Sequence, residues 1–276
     1  MTAWSQPFYQ TLMQKLPKRM EIAEALGNLT GCRIKAVVNQ AKVRLDLREA
    51  IQRTMVMSAY EPDQTAWFKQ CLVPGDTVID IGASFGYYTT LGSMLVGETG
   101  KVFAFEPSPL ANKVIEDAIT ESAISNIVLT KAAVGSREGT VSLFLPSTPE
   151  LHSPSILESD STFTSVSVPV VALDHFEPLQ GIPRVKLVKM DVEGYEPNVL
   201  EGMERLIRER RIENIICEFN SGWLRRNNAT TPKQLFERFA DLGYSIRAQT
   251  KFQGDLVGRH GELFDLQDIW FTLSGV

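Results

Sequence analysis

Val78-Ile79-Asp80-Ile81-Gly82-Ala83-Ser84-Phe85-Gly86-Tyr87-Tyr88-Thr89 begins as a short apolar run, meets a carboxylate and breaks into small residues. The run reads as a buried parallel strand. Gly82 and Gly86 permit a sharp turn and a close backbone approach, since a Cβ at either place would fill space that a ligand or the next helix needs. Tyr87, Tyr88, Leu91 and Leu95 then supply the apolar positions of a helix. Strand, glycine turn and helix N-terminus together make a small-molecule crevice at the carboxyl end of a parallel sheet.

A second strand, Val102-Phe103-Ala104-Phe105, ends in Glu106, twenty residues after Gly86. A carboxylate at that place is suited to accept hydrogen bonds from two ribose hydroxyls, so a nucleoside is the expected guest. Dinucleotide folds use Gly-x-Gly-x-x-Gly and a helix start free to bind pyrophosphate. Here the pattern is Asp-x-Gly-x-x-x-Gly, and Asp80 would repel an anion. A cationic or zwitterionic ligand such as S-adenosylmethionine meets no such repulsion. Gly82-Ala83-Ser84-Phe85-Gly86 also matches the Gly-x-Ser-x-Gly nucleophile elbow, and Ser84, Asp191 and His260 fall in hydrolase order. Against that reading, no His-Gly-Gly oxyanion segment precedes the elbow, and Asp80 and Glu106 would have no task. A turn that serves only packing would likewise leave two carboxylates unexplained at adjacent strand ends.

The glycine turn, the later Lys189-Met190-Asp191-Val192-Glu193-Gly194-Tyr195-Glu196 and the earlier Tyr60-Glu61-Pro62 together resemble the FkbM-type branch of class I S-adenosylmethionine-dependent methyltransferases, over roughly Val43 to Leu273. The resemblance implies a Rossmann-like α/β fold: a mostly parallel sheet with its last strand reversed and helices on both faces. It implies S-adenosylmethionine as cofactor and a hydroxyl of a saccharide, glycolipid or secondary metabolite as acceptor. It also places Glu61 beside the cofactor, although a surface carboxylate opening a helix explains that residue equally well. In this reading Asp80, Gly82, Ser84, Gly86, Tyr87, Glu106 and Asp191 hold the cofactor. Ala133, at the end of a third strand running from Ile127 to Val134, leaves room for the adenine.

Methyl transfer from a sulfonium is an in-line displacement on carbon, so alignment and water exclusion are the protein's main tasks. An alcohol acceptor also needs a base near the methyl. Asp191, Glu193 and Glu218 stand at the ends of the fourth and fifth strands and are the catalytic candidates. Asp191 would orient or deprotonate the hydroxyl, with Glu193 binding the acceptor or raising the Asp191 pKa by like-charge proximity. No metal ligand is assigned, but Asp191, Glu218 and Asn220 offer the oxygen donors a magnesium ion takes. N-methylation of a small molecule is the alternative, because nothing in the cofactor half distinguishes acceptor atoms. A serine hydrolase and a noncatalytic nucleoside-binding module are the more distant ones.

The 276 residues are 43% hydrophobic and 22% charged, ordinary for a soluble protein. The first thirty residues show no signal-peptide pattern and no apolar run is long enough to span a bilayer, so the cytoplasm is expected. Cys32, Cys71 and Cys217 are too scattered for a disulfide framework or a zinc ribbon. A net charge of −5 argues against nucleic acid as the partner. A small-molecule or glycan acceptor is expected instead, and a homodimer is left open. Residues 1–57 form an N-terminal extension, with Phe8, Leu12, Leu16, Met20, Ala23 and Leu26 at helical spacing and Lys or Arg in excess over acids, suited to capping an acceptor. Residues 58–276 form the catalytic domain. Within the extension Val43 to Leu47 alternates like an exposed strand. Residues 146–165, rich in Ser, Thr and Pro and containing His152, read as an acceptor-side lid. Leu173 to Phe176 reads as a short helix. Ser108-Pro109 and Thr231-Pro232-Lys233-Gln234 read as helix starts.

Overall fold

The computed structural model describes residues 33–56, 60–146, 163–228, 230–250 and 266–275. The apolar run of the glycine-turn segment forms β3 (Thr77–Ile81), and its neighbours successively face opposite sides of one sheet. Val78 joins a cluster of buried side chains with Val102, Leu187 and Ile216, whereas Ile79 joins a second with Phe103, Val188 and Ile215. Strands that are apolar on both faces must be covered on both, and helices do so here.

The seven-stranded sheet contains β3, β4 (Lys101–Phe105), β5 (Ile127–Thr130), β9 (Val185–Met190), β10 (Ile212–Asn220), β11 (Tyr244–Gln249) and β12 (Leu266–Leu273). Its order is β11-β12-β10-β9-β3-β4-β5. β3 is parallel to β4 and β9, β4 to β5, and β9 to β10. β12 runs antiparallel to both β10 and β11, which is the reversed strand expected from the resemblance. The chain leaves β3 toward β4 and β5, then returns on the other side to β9. The carboxyl ends of β3 and β9 therefore flank a topological switch point, where α/β sheets place their ligands.

Local signals set most of the helices. Gly86, in a left-handed conformation, opens α3 (Tyr87–Val96). Ser108 caps α4 (Pro109–Ser122) through its side chain, with proline in the first turn. Thr231 and Gln234 form a complete capping box on α9 (Pro232–Asp241). The segment 173–176, expected as a helix, is a turn. The Asp174 carboxylate there accepts the backbone N–H groups of Arg205 and Leu206. It thereby caps α7 (Glu204–Arg208), the next helix but two after the turn, following α5 (Glu177–Gln180) and α6 (Glu196–Gly202).

The third strand ends at Thr130, short of the expected Val134. Ala133 and Val134 form β6, which leaves the main sheet to pair with β8 (Phe163–Val171), itself antiparallel to β7 (Gly139–Pro146). The stretch beginning at Val43 is not a lone exposed strand. It lies in β2 (Ala41–Asp46), paired with β1 (Arg33–Val38) across Asn39-Gln40, both at positive φ, with Ala41, Val43 and Leu45 buried. Asn39 donates to the Tyr87 carbonyl at 2.9 Å and so pins the hairpin to the start of α3. Residues 50–56 form α1 (Ala50–Val56), and α2 (Pro62–Cys71) follows. Buried side chains from residues 36–56 share one cluster with Phe68, Val78, Leu91 and Trp270. The expected helix over residues 5–30, most of the 146–165 loop with His152, and His260 lie outside the described residues. No helix among the described residues is long and apolar enough to cross a membrane. Cys71 and Cys217 are free buried thiols, and Cys32 lies outside the described residues.

Candidate active site

Gly82 sits at the tip of β3 with φ +80, and a Cβ built on it would come within 1.9 Å of the Asp191 carbonyl oxygen. The ends of β3 and β9 are pressed together there, and glycine is what lets them meet. Gly86, with φ +82, has Ile115 against it in the same way. The turn thus brings the Asp-x-Glu-Gly segment alongside the Asp-x-Gly segment, 109 residues earlier in sequence for Asp80 and Ile81 Cα partners of Lys189 and Met190.

Asp80 is 1% exposed and accepts the Thr89 hydroxyl at 2.6 Å. Burial pushes its carboxyl up to about 6, with Thr89 and Lys189 pulling the other way. Glu106 is also buried. Its two oxygens accept the backbone N–H groups of Ser84 (2.6 Å) and Ser108 (2.7 Å), while burial pushes it to about 7. It lies beneath the glycine turn and is not part of the wall of the hollow that Asp80 lines. A carboxylate has about four acceptor positions, so two remain for ribose hydroxyls. Ala133, buried in β6, does not line the hollow either.

The hollow is bounded by Asp80, Gly82 and Ser84 on the turn, by Tyr60, Tyr87 and Tyr88, by Lys189 and Asp191, and by Ile51 and Met55 of α1. It encloses about 20 Å³, room for a water molecule.

Lys189 is the main residue the sequence reasoning passed over. It is 1% exposed, and its Nζ lies 3.1 Å from Asp191 Oδ2 and 5.3 Å from the centre of the Tyr88 ring. Burial alone would lower its pKa, but Asp191, Glu61, Asp268 and Glu218 more than offset that and hold it well above the usual lysine range. A lysine in the buried part of a strand, two residues before an aspartate on the same face, was the available signal. Asp268 was missed because only the pairing of β10 with β12 sets it opposite Glu218. The Asp268 carboxylate accepts the side-chain amide of Gln64, and burial pushes it to about 7. Glu218 is driven well above the usual carboxylate range by burial, then by Asp191 and Glu193.

Glu61 accepts the Tyr88 hydroxyl at 2.8 Å instead of capping α2 with its side chain. Glu61, Ser84 and Glu193 all have positive φ, at 36°, 49° and 52°. Such strain in non-glycine residues persists where surrounding structure imposes it, commonly at functional sites. Glu196, which is 1% exposed, accepts the N–H of Gly194 at 3.1 Å and ties down the turn carrying Glu193.

Carboxylate oxygens of Asp191, Glu193 and Glu218 lie within 4.8 Å of one another, so all three catalytic candidates converge. Their donor type fits a hard cation. The expected third donor, Asn220, is engaged elsewhere, its Oδ1 accepting the N–H of Trp223 at the start of α8 (Ser221–Asn228). The acidic cluster itself is formed by Asp191, Glu193 and Glu218.

Raised carboxyl pKa values make stability depend on pH. Asp80, Glu106 and Asp268 retain protons in the folded state that the unfolded chain releases near pH 4, so their contribution is complete below that pH and is lost as pH rises through 6 to 7. At roughly 1.4 kcal/mol per unit, Asp80 alone gives about 3 kcal/mol. Urea unfolding of the ligand-free protein is expected to show lower stability at pH 8 than at pH 5, with Asp80→Asn narrowing the gap. Equal stability of the wild type at both pH values would contradict the burial of these groups.

The sheet order, with the glycine turn at its switch point, is the Rossmann-like arrangement of class I methyltransferases. The profile of the methyltransferase FkbM domain matches residues 80–246, and the chain belongs to that family. It is 26% identical over 205 residues to the hexuronic acid methyltransferase AglP of Haloferax volcanii, covering 73% of this chain and 74% of that protein. Among solved structures it is similar to methyltransferase FkbM from Methylobacillus flagellatus KT, with a TM-score of 0.45, 14% identity and coverage of 96% of this chain and 58% of that one. A SAM-dependent methyltransferase from Aquifex aeolicus gives a TM-score of 0.42 at 14% identity, over 76% of this chain and 88% of that one.

Proposed function

We propose that this methyltransferase moves the methyl group of S-adenosylmethionine to a hydroxyl oxygen of a saccharide-type acceptor. The observation that carries the reading is the convergence of Asp191, Glu193 and Glu218 beside the switch-point hollow, which supplies a base where a hydroxyl would be aligned with the methyl. Asp80 and Glu106 bracket the donor, Asp80 toward its amino-acid portion and Glu106 toward its ribose. Glu61, Gly82, Ser84, Gly86 and Tyr87 complete that side.

Asp191 takes the hydroxyl proton as the oxygen attacks carbon. The C–S bond breaks, and its electron pair stays on sulfur to leave neutral S-adenosylhomocysteine. Lys189, 3.1 Å from Asp191, holds that carboxylate in place. Glu218, with its raised pKa, is suited to donate a hydrogen bond to the acceptor. The saccharide class is supported by the name of the Haloferax relative, at 26% identity. Incubation with methyl-labelled S-adenosylmethionine and a panel of hexuronic acids, neutral sugars and amino sugars tests both points. Label stable to mild base on a sugar oxygen is expected. Label on nitrogen, or on an ester oxygen lost in mild base, would overturn the hydroxyl assignment.

A further inference from the structure

Beyond Asp191 the chain doubles back in a four-residue turn, Val192 to Tyr195, closed by the Tyr195 N–H donating to the Val192 carbonyl at 3.2 Å. Its two central residues, Glu193 and Gly194, both have positive φ, at 52° and 89°. Two successive positive φ values are the pattern of a type I′ turn, which takes glycine readily in the second place and prefers asparagine, aspartate or glycine in the first. Glutamate is a poor choice there, so the surrounding structure must hold it. The residue so held is a member of the cluster with Asp191 and Glu218.

Glu196 supplies the hold. It is the first residue of α6 and is buried. An acid at a helix start ordinarily faces the free amides of that helix. Here Oε1 faces back into the turn, accepting the N–H of Gly194 at 3.1 Å and that of Val192 at 3.4 Å, one on each side of Glu193. Oε2 is buried with no hydrogen-bond partner among the described residues. Burial pushes this carboxyl up to about 7, and nearby Asp191 adds to the rise. A half-satisfied carboxyl is a costly way to fill interior space, and an apolar side chain would fill it more cheaply. What an apolar side chain cannot do is accept the two N–H groups.

We propose that Glu196 is a positioning residue for the acceptor: by gripping the amides on either side of Glu193 it keeps the Glu193 carboxylate within reach of Asp191 and Glu218, where the hydroxyl is aligned. The proposal rests on that cluster being the acceptor site. Glu196 does not line the hollow, so its effect passes through the backbone of the turn. One oxygen makes both contacts, and it accepts whether or not the carboxyl is ionised, so any side chain with a carbonyl oxygen at the same reach has the same effect. The donor side is held independently, Asp80 by the Thr89 hydroxyl and Glu106 by the Ser84 and Ser108 amides. Loss of the Glu196 contacts therefore disturbs the acceptor side alone.

Steady-state kinetics with methyl-labelled S-adenosylmethionine on the sugar panel, and calorimetric titration of the full chain with S-adenosylmethionine, test the proposal. Glu196→Leu keeps the bulk and loses the acceptor oxygen, and is expected to lower kcat about 10²-fold while the donor Kd stays within about threefold. Glu196→Gln, whose amide oxygen can take both N–H groups, is expected to keep kcat within about threefold of the wild type. Glu196→Met serves if the leucine variant fails to melt cooperatively. Wild-type kcat in folded Glu196→Leu or Glu196→Met overturns the proposal. So does a Glu196→Gln protein as slow as the apolar variants, or a donor Kd that weakens as much as kcat falls. If the wild type labels nitrogen, the hydroxyl reading fails alone, because the same variants are then compared on that acceptor. No labelling of any sugar by the wild type overturns the saccharide reading and this proposal together.

Discussion

Gly82→Ala is expected to lower the unfolding free energy by about 3 kcal/mol or more and to abolish donor binding. Two independent costs add at this residue. Its φ of +80 is unfavourable for any side chain, and the new Cβ would sit 1.9 Å from the Asp191 carbonyl oxygen. That oxygen is backbone, so relief requires the ends of β3 and β9 to separate, and the Asp191 N–H to Ile81 carbonyl hydrogen bond of 3.1 Å to stretch. Gly139→Ala is the control, because nothing lies within 4 Å of a Cβ there, and less than about 0.5 kcal/mol is expected. Urea denaturation of both variants makes the comparison. A Gly82→Ala protein as stable as the control would mean that the two strand ends are not in contact.

Asp191→Asn is expected to reduce kcat by about 10²- to 10⁴-fold at saturating donor and acceptor, the range for removing a general base. Asparagine keeps the size of the side chain and an oxygen for Lys189, so the site loses basicity and charge with little change in shape. Lys189→Met makes the complementary change. It leaves Asp191 in place without its 3.1 Å ammonium partner, and a smaller fall in kcat is expected because the base survives but is less firmly held. Unchanged turnover in Asp191→Asn would transfer the proton-removing role to Glu193 or Glu218, whose carboxylates lie within the same 4.8 Å cluster.

The contrast between Asp80 and Lys189 shows how far residues in a row can be read. Asp80 announces itself because it interrupts an apolar run just before a glycine turn, and the structure buries it at the switch point. Lys189 sits in a similar run, but its role depends on Asp191 just after it and on carboxylates from three other segments: Glu61 before α2, Glu218 on β10 and Asp268 on β12. Glu106 is intermediate. Its place after the second strand was legible, whereas its grip on the Ser84 and Ser108 amides was not, because both contacts follow from how tightly the turn closes. The hairpin of β1 and β2 was half-read: alternation marked the second strand, but the first has the buried positions Ala36 and Val38 interleaved with Lys35 and the exposed Val37.

The sequence by itself determined the strand–turn–helix unit, the capped helix starts, the succession of core strands along the chain and the positions of the acidic residues that end them. Those features are set by short-range causes: side-chain periodicity, the φ range open to glycine, and the capping groups next to each helix. Only the tertiary structure decided that carboxylate oxygens of Asp191, Glu193 and Glu218 come within 4.8 Å of one another, that Asp268 faces Glu218, and that three tyrosines and a buried lysine share one hollow. Such choices depend on strand register and on the angle at which distant segments pack, and a displacement of one residue along a strand would turn Lys189, Glu218 or Asp268 to the opposite face.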